Sequence, residues 1–334
     1  MNWGMLGHEW AVDLLRQHVA QGRARHAYLF TGPQGVGRRT LALRLAQALN
    51  CQAPPAPGDP CGTCSSCVHL QAMQHPDLAV VRAEQEGGTL KVDQVRELQH
   101  ALALSPYEAR FRVALLLRFE EAHISAANAL LKTLEEPAPQ VVLMLTATSP
   151  EGVLPTILSR CEVLRLRPLT QEQVSQGLQT QWGLPADQAH VLACISDGRP
   201  GYALRLNDTP DLMEQRQLWL RDLFALLPAN RVERLGYART MYEQKDALRG
   251  ALLTWLSLWR DVMLCAGGSQ VTPTNVDYAE AIRQVAAHLE LAAARQVTAA
   301  VDNTLNRLDR NVNARLALEG LLLDLPQIQV SLSA

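Results

Sequence analysis

Aromatic residues make up only 5% of the 334-residue chain and charged residues 19%, with a formal net charge of −2 and a pI near 6.5. That scarcity excludes a polybasic arm, a histone-like electrostatic binder and a charged disordered tail, so any contact with nucleic acid has to be local. Long apolar runs are missing too. No stretch approaches the ~18 uninterrupted apolar residues of a membrane span. The opening MNWGMLGHEW lacks the basic-then-apolar layout of a secretory signal. Neither insertion nor export is expected, and the expected compartment is the cytoplasm. Lysine is nearly absent: Lys91, Lys132 and Lys245 are the only three among 31 basic residues. An arginine where lysine is usual can therefore reflect a general drift rather than a lost role.

What remains is ample for folding. Hydrophobic residues reach 48%, and the length is more than one typical core takes up, so two or three domains are expected. The runs Ala27–Thr31, Leu78–Val81, Val113–Leu117 and Val141–Thr146 are short, β-prone and almost wholly apolar, as parallel strands buried on both faces should be, and Glu162–Leu166 offers a fifth. Helical stretches between them give a βαβ chain and a parallel α/β sheet. Beyond Pro168, short helices are expected over Gln171–Thr180 and Asp187–Ile195, followed by a break at Ser196–Gly201. From about Asp211 onward no strand is convincing, and Leu252–Met263, with Trp255 and Trp259 four apart, has helical apolar spacing. The expected division is an α/β domain over 1–167, a small helical domain over 168–207 and an all-α domain over 208–334.

Three clusters carry chemistry. Gly32-Pro33-Gln34-Gly35-Val36-Gly37-Arg38-Arg39-Thr40 follows a strand and opens a helix, the setting in which glycine-rich backbone N–H groups face phosphates. Its side chains depart from the G-x-x-x-x-G-K-[ST] pattern. Arg38 stands for the lysine and Arg39 for the hydroxyl that would bind Mg²⁺, while Thr40 comes one residue late, about 100° around the helix. Arginine drift explains residue 38 but not residue 39. The strand Val113–Leu117 leads to Glu120 and Glu121, displaced by Arg118 and Phe119 and glutamate rather than aspartate, so the acidic half of a Mg²⁺-nucleotide site also reads as degraded. Those two acids also suit a helix start on dipole grounds alone.

The third cluster is the strongest. Cys51, Cys61, Cys64 and Cys67 form C-x9-C-x2-C-x2-C, and four thiolates at such spacing can close on one tetrahedral Zn²⁺. Gly62 and the Ser65-Ser66 pair allow the tight turns, and the proline-rich stretch 53–60 makes a stiff loop inside the cluster rather than a linker. Unligated thiols, a redox pair and an iron–sulfur cluster are the rival readings, the last lacking the usual ferredoxin spacing. His69 and His75 are expected to be ordinary surface or packing residues. Cys161, Cys194 and Cys265 are scattered.

Together His26–Pro33, the four-cysteine insertion, His75-Pro76-Asp77, Ala127–Pro137 (ANALLKTLEEP) and Ser159-Arg160-Cys161 resemble the bacterial clamp-loader AAA+ family over nearly the whole chain. Within it the chain is most similar to the stator branch, because the phosphate loop is impaired; the gamma/tau motor branch keeps an intact Lys-Thr loop. The resemblance implies an AAA+ sheet domain with a zinc-binding insertion, a helical lid and a helical collar. It also implies a DNA polymerase III ring, with gamma/tau and delta subunits as partners, that places a sliding clamp on primed DNA. Arg160 would then act in trans as an arginine finger on a neighbour's ATP, a task suited to a planar fixed cation. Gly32, Gly35, Gly37, Arg38 and Thr40 would form a nucleotide loop that turns over little or no ATP, and ATP/Mg²⁺ is not expected as this chain's own cofactor. Lys132 would face DNA phosphate or a neighbour's acid, or simply solvent. Arg199, near the family's lid arginine, reads as a loop residue, and Asn311–Glu319 resembles the family's C-terminal helix. Two rival functions remain: a true ATPase motor using Arg38, and an AAA+ scaffold outside replication.

Overall fold

The computed structural model describes residues 2–85, 88–309 and 312–329. Five strands, β1 (Ala27–Thr31), β2 (Leu78–Val81), β3 (Arg112–Leu116), β4 (Val141–Ala147) and β5 (Glu162–Arg165), form one parallel sheet in the order β2-β3-β4-β1-β5. Each begins and ends within a residue of the expected run. The register pairs Ala27 with Leu143, Leu78 with Val113, Ala114 with Leu143 and Tyr28 with Glu162. Side chains alternate between two cores, as the two-residue period of a strand requires. Tyr28, Phe30, Val113, Leu115, Val142 and Met144 enter one, and Leu29, Ala114, Leu116, Leu143 and Leu145 the other.

Helices cover both faces. On the first lie α1 (Glu9–Ala20), α2 (Arg38–Asn50) and α3 (Ser65–Gln71), contributing Leu15, Leu45 and Leu70. On the second lie α4 (Val92–Leu102), α5 (Ile124–Glu135) and α6 (Pro155–Leu158), contributing Leu98, Leu130 and Ile157. After the sheet come α7 (Gln171–Trp182), α8 (Ala186–Ile195) and α9 (Pro200–Asp208). The remainder is helical among the described residues: α10 (Pro210–Leu226), α11 (Arg231–Met241), α12 (Lys245–Ala266), α13 (Ala279–Ala287), α14 (Leu291–Asp309) and α15 (Ala314–Asp324). Of the stretch expected as a C-terminal helix, Asn311 lies outside the described residues and Ala314–Glu319 are helical.

The chain divides into two compact units. One comprises Met1–Trp182 with Gly198–Tyr202, the other Gly183–Asp197 with Ala203–Ala334. Residues 168–207 thus contribute to both. The second unit has its own core, centred on fully buried Trp255 and Trp259 of α12.

Candidate functional site

The glycine loop leaves the carboxyl end of β1, between β4 and β5, where open α/β sheets leave a crevice. Gly32 donates to the carbonyls of Ala147 and Thr148, both at 3.2 Å, tying the loop to the end of β4. Gly32, Gly35 and Gly37 all have positive φ, and a Cβ at Gly32 would run into the Leu166 carbonyl oxygen. The loop's outer side is built on. Gly201 donates to the Gly35 carbonyl at 2.8 Å, and a Cβ at Gly35 would lie 2.8 Å from the Tyr202 nitrogen. The carbonyl of Val36 is held by His8 Nε2 at 3.0 Å; burial lowers the pKa of His8, so a neutral ring donates here. Arg199 stacks on the Tyr202 ring at 4.7 Å.

Arg38, the first residue of α2, is buried at 7% exposure, and its Nη1 has no hydrogen-bond partner. Burial lowers its pKa; the Glu120 charge opposes that shift and Arg118 adds to it. The displaced acids are already engaged within the chain. Glu120 Oε1 accepts from the Thr148 nitrogen at 3.1 Å, and Glu121 pairs with Arg118 at 3.3 Å. Arg39 and Thr40 both point to solvent. The position where a hydroxyl would bind Mg²⁺ is therefore held by an exposed guanidinium.

The cysteine cluster lies between α2 and α3. The sulfurs of Cys51, Cys61, Cys64 and Cys67 all lie within 4.8 Å of one another, and those of Cys61 and Cys67 are 4.0 Å apart. Bonds of about 2.3 Å to a tetrahedral ion require sulfurs about 3.8 Å apart, so the four fit one metal with little movement. Backbone N–H groups aim at the sulfurs: Cys61 to Cys51 at 3.2 Å, Cys64 to Cys61 at 3.3 Å and Cys67 to Cys64 at 3.5 Å. The Cys64 and Thr63 amides bring the Cys61 thiol down to about 6, whereas burial pushes Cys51 and Cys67 up. No other group of three or more His, Cys, Asp or Glu side chains converges in this way among the described residues.

Neither histidine joins the cluster. His69 is exposed. His75 is buried; its Nδ1 accepts from the Asp77 nitrogen at 3.1 Å, and its Nε2 faces Ser66 Oγ at 3.2 Å. Sequence reasoning had no signal for its partner role, nor for Asp59, which accepts from Trp3 Nε1 at 2.9 Å and Arg16 Nε at 2.7 Å and so fastens the proline-rich loop to the N-terminal helix.

Arg160 follows α6 and precedes β5. Its Nη1 donates to the Thr156 carbonyl at 2.8 Å and to Ser159 Oγ at 3.2 Å, and its Nη2 to Glu135 Oε1 at 2.6 Å. The side chain remains one-third exposed. Cys161 packs against the second sheet core, and burial pushes its thiol up to about 12, which keeps it unreactive. Lys132 is exposed on α5, as a solvated or contacting lysine both require.

The family described as DNA polymerase III, delta subunit, matches residues 7–170, and its C-terminal counterpart matches residues 210–327. A DNA polymerase III subunit delta-prime from Pseudomonas aeruginosa is 38% identical over 203 residues, spanning 59% of this chain and 60% of that protein. One from Bacillus subtilis is 28% identical over 324 residues, 95% of each chain. The chain belongs to the DNA polymerase III delta-prime family. The related tau/gamma subunit of Haemophilus influenzae is 36% identical over 222 residues, 64% of this chain but 31% of that one. Among solved structures, a gamma subunit-related protein from Thermotoga maritima covers 93% of this chain and 97% of its own, with TM-score 0.50 and 17% identity. That likeness shows the fold, a five-stranded parallel sheet with helices on both faces followed by a helical C-terminal part.

Proposed function

We propose that the chain is the stator of a clamp-loader ring: it assembles with gamma/tau and delta subunits, helps place the sliding clamp on primed DNA in the cytoplasm, and supplies Arg160 in trans to a neighbour's ATP. The observation that carries this reading is a contrast within one chain. Arg160 is a one-third-exposed guanidinium held at a defined place by three acceptors. The chain's own phosphate loop has Arg38 buried with its Nη1 unsatisfied, Arg39 at the metal-ligand position and the Gly35 carbonyl bonded to Gly201. On this reading residues 168–207 work as a lid, 208–334 as the collar, and the loop turns over little or no ATP. Lys132 is the DNA- or neighbour-facing lysine of α5. The four cysteines hold one structural Zn²⁺; with all four positions filled by protein thiolates, the ion orders the 51–67 segment and leaves no place for substrate.

The test is reconstitution. Arg160→Ala should leave the ring assembled while lowering its DNA- and clamp-stimulated ATPase and slowing clamp loading, up to the roughly 10³–10⁵-fold of an arginine finger at the one site it serves. Arg38→Ala should change much less. Lysine at 160 should not rescue fully, since an ammonium lacks the planar fork. Unaltered hydrolysis and loading with Arg160→Ala would reduce the chain to a passive scaffold. Micromolar, Mg²⁺-dependent ATP binding by the isolated chain would favour a motor.

A further inference from the structure

The sequence motif containing Glu135 accounts for the packing of α5 but leaves the carboxylate itself without a task. Glu135 is the last residue of α5, half-exposed, and its Oε1 lies 2.6 Å from Arg160 Nη2. The two nitrogens of the guanidinium fork are held differently. Nη1 is fixed by neutral acceptors from its own turn, Thr156 O and Ser159 Oγ, and Ser159 Oγ itself donates to Thr156 O at 3.1 Å. Nη2 is held by a charge from another element, 25 residues away in sequence. Glu135 also sits where the carbonyl ends of α5 add negative potential.

We infer that Glu135 is a positioning residue that restrains Arg160 in cis and competes with a neighbour's γ-phosphate for Nη2. The inference rests on the trans-finger reading above. The pair has the right strength for exchange. A surface carboxylate–guanidinium contact in water is weak, and a polyphosphate brings more charge and more acceptor oxygens to the same fork. While Glu135 holds Nη2, Nη1 remains tethered, so the arginine can move to a phosphate without losing the anchor that aims it. Arg160 then reaches the neighbour fully only when ring closure brings the phosphate close enough to win the exchange.

The experiment compares four rings reconstituted with gamma/tau and delta subunits: unmodified, Glu135→Gln, Arg160→Ala and the double variant. ATPase is read without and with clamp and primed DNA, together with KM for ATP. Glutamine keeps the size and an acceptor oxygen but removes the charge, so the unstimulated rate should rise about twofold and the stimulation ratio fall in proportion. Glu135→Asp, which retains a carboxylate, should give a smaller rise. In the Arg160→Ala background Glu135→Gln should have no effect, an epistasis that a merely structural role for Glu135 would not produce. A ring in which Arg160→Ala lowers hydrolysis while Glu135→Gln leaves the unstimulated rate unchanged or lowers it overturns the restraint and leaves the finger standing. A ring indifferent to Arg160→Ala overturns both.

Discussion

Asp77 is a single carboxylate on which three pieces of chain converge. Its side chain is fully buried and accepts from the backbone nitrogens of Tyr107, Glu108 and Ala109 at 2.7–2.9 Å and from Arg112 Nη2 at 3.3 Å, while its own nitrogen donates to His75. Burial alone would raise its pKa; the three amides and Arg112 outweigh burial and hold it below the ordinary carboxylate range. The sign of the linkage follows. A depressed folded pKa gives stability that is complete above the unfolded value of about 3.9 and is lost as pH falls through the lower folded value. Asp77→Asn presents an NH₂ to amide donors and loses the charge, so it should cost about 2–4 kcal/mol at neutral pH. That cost should shrink below about pH 4 as the unmodified protein loses the same charge. Urea midpoints for both proteins across this range check it, and parallel pH profiles would contradict it. Arg38 makes the opposite point about burial. It is a cation kept from water with a carboxylate nearby and one nitrogen unsatisfied, where a lysine-type loop would have offered its charge to a phosphate.

The strands β1, β3 and β4 could be read from the chain to within a residue because each is an apolar run buried almost throughout, and such runs have no other stable place, whereas the edge strands β2 and β5 are only partly buried and are marked by their β-prone residues alone. The cysteine spacing was equally readable, since thiols three residues apart in a tight turn can hardly avoid one another. What escaped was contact at long range. Gly35 meets Gly201 and Tyr202 across more than 160 residues, Glu135 meets Arg160, and Asp59 meets Trp3 and Arg16; no local pattern encodes such pairings. The cysteine element shows how local and distant terms combine. Its turns come from Gly58 and Gly62, both with positive φ, its outer edge is tied by Asp59, and its inner edge by Gln47 Nε2 donating to the Cys67 carbonyl at 2.6 Å. Because thiolate ligation and local folding are coupled, Cys64→Ala or exhaustive chelation should release the metal and speed amide exchange over residues 53–68. The five strands, built on cores that do not include the sulfurs, should keep their protection. Elemental analysis finding no stoichiometric zinc in protein purified without chelator would remove the metal assignment, and exchange spreading through the sheet would show that the insertion is not a separable element.

Each of the two units is closed by its own core, and in the helical one the closure depends on a buried charge. Arg234 of α11 is 5% exposed, and its guanidinium places all five N–H donors on backbone carbonyls. Nε and Nη2 bond Leu226 and Leu227 at the end of α10, and Nη1 and Nη2 bond Leu322, Leu325 and Pro326 at the end of α15, at 2.6–3.0 Å. Helix ends leave carbonyls without intrahelical partners and carry partial negative charge, so one planar cation between two such ends satisfies both. Burial lowers the arginine's pKa, but the ordinary value is so high that the charge persists at any physiological pH. Arg234→Met keeps much of the volume and removes every donor, so the carbonyls of Leu226, Leu322, Leu325 and Pro326 lose this partner, while that of Leu227 still accepts from the Ile328 nitrogen at 3.3 Å. The expected loss is roughly 2–5 kcal/mol, in the range for breaking a buried polar network. Arg234→Lys should recover part of it, since an ammonium has three donors and no fork. Under mild denaturant, hydrogen exchange should quicken in α10, α11 and α15 of the methionine variant while the amides of β1, β3 and β4 keep their unmodified protection. Equal loss in the sheet, or none in the helices, would mean that Arg234 is not what closes the helical unit.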